Sequence, residues 1–405
     1  MINQVKSLLL TDTGKDTVIV FAGTLINVLF GGLFFIFVSR SLGPADLGLF
    51  TVVTATGIMA VNFANFALDT GILKFASKGG KQSAQVLSLA FKTYLAIGVS
   101  VFLLGLIFAS PIAQLLGQPQ LAGLLKIAFL GVIFILLTNF FTASLQSKKQ
   151  FAKASIITIS GNLARVLLLV IGAYFFTIDL YFITLLYYLV IIISTVFGKI
   201  FVPLDFSPQK NPKNLLKKFF GYNFWIAASV AISSIPIDDY LLVKISGPFQ
   251  AGIFAAPMKI ASVINQLSGD FTRVLAPRFA SFDSDEKAKN YAKKAMPIVL
   301  FVCGGIVLSI LIATPLILIL FTEQFLNSVG IYRILATGSV LAFLTTIPVS
   351  IIVYYFGKSR AVFLITSVDI FIWFLANIIL IPKFAAIGAA WSYLISTITS
   401  TILFG

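Results

Sequence analysis

The chain contains no histidine and a single cysteine, Cys303, which lies inside an apolar run. Disulfides within the chain, thiolate or imidazole metal sites and histidine-based acid–base catalysis are therefore excluded. Charge is also scarce: 11% of residues are charged, against about 25% in ordinary soluble domains. Long polar loops are missing too. The longest segments expected to be non-helical are the basic loop 204–219 and the mixed-charge segment 282–294. Membrane glycosyltransferases and polysaccharide polymerases need a large extracytoplasmic loop bearing carboxylates, so an enzyme is not expected. Residues 1–17 lack the basic–apolar–small pattern of a cleaved signal, and the first span is expected to serve as its own insertion signal.

What is abundant is apolar. Hydrophobic residues make up 59% of the chain, and mean hydropathy is +1.03. The apolar runs recur at roughly 20–25 residues, the length that crosses a bilayer as a helix. Continuous rather than alternating runs exclude an outer-membrane barrel. The pattern predicts an all-α polytopic membrane protein with about twelve spans. These are 17–39, 48–72, 86–110, 122–145, 154–177 and 179–203, then 220–243, 250–274, 295–321, 329–352, 361–381 and 384–404. A first lobe at 1–203, a basic linker at 204–219 and a second lobe at 220–405 follow.

The chain repeats itself. Gly43-Pro44-Ala45-Asp46-Leu47-Gly48-Leu49-Phe50 and Gly247-Pro248-Phe249-Gln250-Ala251-Gly252-Ile253-Phe254 share G-P-x-x-x-G-x-F at an offset of 204. The same offset pairs Arg40 with Lys244, and Ala109-Ser110-Pro111 with Ala313-Thr314-Pro315; later pairs, Lys126 with Arg333 and Asn162 with Asp369, sit at 207. Two similar halves are a common plan for transporters, with the substrate site between them. The G-P motifs are expected to be tight turns on the outer face.

Basic residues set the topology. Counted with the span ends that border them, connections after even-numbered spans hold 18 Lys and Arg, those after odd-numbered spans 5. Both termini are expected in the cytoplasm. The net charge of +15 is mostly this insertion signal together with attraction to anionic membrane lipids. Nucleic acid is not an expected partner, because the charges are scattered over short loops.

Ionisable groups inside spans are functional candidates. Asn62, Asn65 and Asp69 share one face of the second span; Lys259, Gln266, Asp270 and Arg273 lie along its repeat mate. They are expected to face a water-filled cleft. Asp69 and Arg273, near the cytoplasmic ends, could instead simply snorkel to the interface. Arg165 sits near mid-bilayer, beside Asn162 and Thr158. It is suited either to an anionic ligand or to a pair with Asp69 or Asp369. Asp238 and Asp239 follow Pro236, which is expected to kink its helix. Freed carbonyls beside carboxylates suit Na⁺ or a bound proton. Asp369 is a second isolated acid, with Asn377 further along. Arg40 and Lys244 precede the two motifs and could meet an anionic headgroup.

Arg40-Ser41-Leu42-Gly43-Pro44 with Gly48 and Phe50, at the end of the first span, resembles the bacterial polysaccharide flippases. Their superfamily also holds the multidrug and toxin extrusion exporters and the lipid II flippases. The resemblance implies two pseudo-symmetric six-helix lobes forming a V-shaped cleft lined by helices 1, 2, 7 and 8. It implies a polyprenyl-diphosphate-linked oligosaccharide as cargo, with polysaccharide polymerases or glycosyltransferases as partners. It also implies a sodium site in the second lobe, for which Asp238 or Asp239, Asp369 or Asn377, and Thr397 are the available positions. Two alternatives of the same fold are a lipid II flippase, which would usually have two further C-terminal helices and an Arg-rich cavity, neither evident here, and a cation-coupled multidrug antiporter, which would favour an acidic cavity. The basic groups at Arg165, Lys259 and Arg273 argue for anionic cargo instead.

Overall fold

The computed structural model describes residues 12–77, 80–203 and 234–404, with Ala227, Val230 and Ala231. The linker 204–219 and most of the seventh predicted span lie outside the described residues.

Every regular element in this set is helical, as a bilayer requires of a chain that must satisfy its own backbone. In chain order these are α1 Asp12–Asn65, α2 Leu68–Ala76, α3 Gly80–Leu115, α4 Leu121–Ser147 and α5 Phe151–Phe175. Then come α6 Leu180–Leu189, α7 Ile191–Phe201, the short α8 Ile237–Leu241 and α9 Pro248–Ala280. The series ends with α10 Asp285–Leu311, α11 Ala313–Phe321, α12 Ser328–Leu344, α13 Thr346–Ser350 and α14 Ser359–Phe404. Wider π turns follow α8 and α13, at Leu242–Ser246 and Ile351–Tyr355. Among the described residues eight helical stretches are long and apolar enough to cross a membrane. Two of these, Ile19–Ala76 and Leu364–Phe404, each hold two predicted spans. The 33-residue α9, which carries Lys259, Asp270, Arg273 and Arg278, is not among the eight. The count of about twelve spans is consistent with this.

The G-P motifs are not tight turns. Each is a single-residue break between helices. Gly43 (φ 69, ψ 178) joins the two halves of α1, and Gly247 (φ 88, ψ 164) caps α9. Only glycine adopts such a conformation without strain. The proline that follows takes the first turn of the next helix, where its missing N–H costs nothing. The two copies thus share backbone conformation as well as sequence. The segment 282–294 also differs from expectation. It is helical from Asp285, with Ser284 extended at the N-cap position and Asp285 and Glu286 in the first turn, where the helix dipole favours acids.

The chain divides into two compact units. The first comprises 1–41 and 52–236, the second 42–51 and 237–405. The first G-P motif therefore clusters with the second unit, and there the two copies meet. A Cβ built on Gly252 would lie 1.6 Å from the Pro44 carbonyl oxygen; one on Gly48 would lie 2.1 Å from that of Pro248. This is a reciprocal small-residue crossing of the kind that lets membrane helices approach closely. Cys303 packs in the core of the second unit with Leu275, Phe279, Phe343 and Ile347; it is a packing residue.

Candidate functional site

Among the described residues each unit contains a pocket of about 250 Å³ with polar side chains in its lining. In the first unit, α5 presents Thr158, Asn162 and Arg165 towards Thr138 of α4 and Ser194 of α7. The Arg165 Nε–H donates to the Tyr187 carbonyl (3.1 Å) and Nη1 to Asn162 Oδ1 (3.0 Å). Its guanidinium lies 4.1 Å from the Tyr187 ring centroid, a cation–π stack. Asn162 Nδ2 in turn donates to Asn27 Oδ1 (3.2 Å), and Asn27 Nδ2 to Thr158 Oγ1 (2.8 Å). The arginine is thus held by neutral groups. Among the described residues no carboxylate pairs with it, neither Asp69 nor Asp369.

In the second unit the pocket is acidic. Asp369 of α14 accepts from Ser396 Oγ (2.6 Å). Around it stand Asn265, Ser268, Thr345, Tyr393, Thr397 and Ser400. Asn265 Nδ2 donates to the Tyr393 hydroxyl (2.9 Å). A ring of hydroxyl, amide and carboxylate oxygens suits a hard monovalent cation or a proton.

The two pockets are repeat images of one another. The offset of 207 maps Ile135, Thr138 and Asn162 onto Ala342, Thr345 and Asp369. An offset of 206 maps Tyr187, Ile191 and Ser194 onto Tyr393, Thr397 and Ser400, and 204 maps Val61 onto Asn265. Seven of the nine residues lining the acidic pocket therefore have counterparts lining the basic one, so the two are one architectural site with inverted charge.

The other candidates are placed as follows. Asp69 lies just beyond a break in the second span, where Phe66 (φ 44) and Ala67 (φ 51) are both left-handed. Asp69 Oδ1 accepts from Thr70 N (2.8 Å) and Asn65 Nδ2 (3.2 Å), and the fully buried Tyr94 donates its hydroxyl to Asn65 Oδ1 (2.7 Å). Asn62 is half-buried on the same helix. Arg40, Lys244, Lys259 and Gln266 are exposed and Asp270 half-buried. The Arg273 side chain lies outside the described residues. Pro236 stands in a non-helical stretch directly before α8, as a helix breaker should. Asp238 and Asp239 follow it, half-buried, with the Asp239 N–H donating to Asp238 Oδ1 (3.0 Å). They do not line the acidic pocket. Asn377 is fully buried; its Nδ2 donates to the Trp373 carbonyl (2.9 Å), and its Oδ1 has no partner among the described residues. The structure thus brings Asp369 together with Thr397. Sequence reasoning missed Asn265, Tyr393 and Ser396 beside them, and Asn27, Tyr187 and Ser194 beside Arg165. The repeat offsets, applied residue by residue around Asn162 and Asp369, would have found most of these.

The fold is that of the helical flippases and multidrug exporters. The structure matches the lipid II flippase MurJ in an inward closed conformation at a TM-score of 0.77, with 14% identity, over 96% of this chain and 86% of that one. It matches an inward-facing multidrug resistance MATE family transporter at 0.75, also with 14% identity, over 95% and 96%. Residues 37–330 match the family model described as polysaccharide biosynthesis protein, and the chain belongs to that family. A putative O-antigen transporter of Shigella flexneri is 24% identical over 191 residues, 46% of each chain, so the match spans less than half of that relative. The lipopolysaccharide biosynthesis protein WzxC of Escherichia coli K12 is 24% identical over 377 residues, 90% of this chain and 74% of that one.

Proposed function

We propose that this protein is a flippase that turns a polyprenyl-diphosphate-linked oligosaccharide from the inner to the outer leaflet of the cytoplasmic membrane by alternating access. The observation that carries this reading is family membership across residues 37–330, joined to the fold of the lipid II flippase. The basic groups Arg40, Arg165, Lys244, Lys259 and Arg273 would meet the anionic head, with Asn62, Asn65, Asp69, Gln266 and Asp270 contributing polar surface. Polymerases or glycosyltransferases of the same pathway would act on either side. A drug antiporter fits less well, because the first-unit pocket carries an arginine where a cationic drug would need an acid. We further propose that the Asp369 pocket takes the coupling ion, Na⁺ or H⁺.

Deleting the gene should abolish the surface polysaccharide and cause its lipid-linked repeat unit to accumulate on the cytoplasmic side, with both restored by the intact gene. Unchanged polysaccharide in the deletion strain would sink the reading. Orientation has its own test. In a Cys303→Ala background, Lys148→Cys should label only from the cytoplasm and Gln120→Cys only from outside. Both positions are exposed. Labelling of both from one side would refute cytoplasmic termini.

A further inference from the structure

The geometry points to an oxyanion site within the first unit: the Arg165 pocket binds a phosphate or diphosphate group, with Arg165 and Ser194 as its donors. Three observations carry this. First, an arginine at membrane depth needs a counter-charge, and among the described residues none is present. Second, among the described residues only two guanidinium N–H bonds are spent, on the Tyr187 carbonyl and Asn162. The remaining N–H groups form a planar edge, the geometry that matches phosphate or carboxylate oxygens. Third, Ser194 lines the same pocket, so a second hydrogen-bond donor borders the space beside the guanidinium. An oxyanion held in this pocket could accept from the free guanidinium edge and from the serine hydroxyl.

The repeat sharpens the argument. At the position of Asp369 in the acidic pocket, this pocket has Asn162. The side chain has the same shape without the charge. An aspartate here would neutralise Arg165 internally; asparagine orients the guanidinium and leaves its charge for a ligand. The site rests on the flippase reading in that Arg165 was there placed against the anionic head, but it lies within one unit and its binding test is separate from the export test.

Asn162→Asp is the decisive variant, because it keeps the acceptor for Arg165 and supplies the counter-charge in place. The full chain in phosphatidylcholine nanodiscs would be titrated with inorganic pyrophosphate against a sodium chloride series of equal ionic strength. Saturable binding is expected in the wild type. Affinity should fall at least tenfold in both Asn162→Asp and Arg165→Gln and several-fold in Ser194→Ala. Asn162→Asp should unfold at a temperature no lower than the wild type. A second set of nanodiscs would contain polyprenyl diphosphate. An unfolding shift there, absent in Asn162→Asp, would identify the lipid headgroup as the ligand; a response to pyrophosphate alone would identify a free anion. No response to either, or undiminished binding by Asn162→Asp, would overturn the site. Binding intact in a protein whose deletion leaves polysaccharide unchanged would refute the flippase reading and not this one.

Discussion

Gly252→Ala should cut export at least tenfold and lower the unfolding temperature of the purified protein, while Gly269→Ala, on the same helix, should do neither. The two substitutions are chemically identical. Each replaces glycine by the best helix former, a gain of up to about 1 kcal/mol in a helix interior. They differ in what the new methyl group meets. At Gly269 nothing lies within 4 Å. At Gly252 the methyl would lie 1.6 Å from the Pro44 carbonyl oxygen and 3.0 Å from its Cα. Backbone cannot rotate away as a side chain can, so the crossing of the two motif copies must open. Overpacking of this kind costs roughly 1–3 kcal/mol, occasionally more, which outweighs the helix gain. Gly48→Ala should behave like Gly252→Ala, since its methyl would meet the Pro248 carbonyl at 2.1 Å. Equal behaviour of Gly252→Ala and Gly269→Ala, in export and in thermal unfolding, would show that the crossing is not needed.

The second large effect is expected at Asp369. If its pocket holds the coupling ion, Asp369→Asn should reduce export at least tenfold, and the residual transport should no longer respond to sodium or to pH. Removing one unit charge about 4 Å from a cation, at the effective dielectric near a protein surface, is worth about 4 kcal/mol. That corresponds to roughly a thousandfold in ion affinity. Ser396→Ala should cost much less. It removes one hydrogen bond to a charged group, worth about 1.5–3 kcal/mol, and the ion can take over part of that role. The measurement is polysaccharide export in cells and flipping in proteoliposomes across sodium and proton gradients. Wild-type gradient dependence in Asp369→Asn would remove this residue from the coupling machinery.

The helical membrane fold and its two-fold repeat were legible in the sequence, because apolar run length and a 204-residue offset survive without any knowledge of packing. The G-P motif was read as a turn for a physical reason: Gly-Pro signals a backbone reversal equally well when it reverses one residue between two helices. Its packing role depends on which helix approaches it, and that is a tertiary fact. At Arg165 the sequence left two readings open, a ligand or an internal carboxylate; among the described residues its side chain meets the Tyr187 carbonyl and Asn162 and no carboxylate. Asp238 and Asp239 looked like partners of Asp369 by helix number, yet they do not line the same pocket. The strained pair Phe66–Ala67 left no local signal, because neither residue is a common left-handed former.

The mirrored pockets also bear on how such a chain arises. A closed dimer of one six-helix half would be symmetric, and a symmetric pair places the same residue at equivalent positions of both copies. Such an assembly would carry two asparagines or two aspartates, never one of each. A neutral–acidic pair such as Asn162 and Asp369 requires two halves that can diverge from each other, as the two repeats of this chain have. One polypeptide thereby carries a pocket lined by Arg165 and a pocket lined by Asp369 on a single repeated plan.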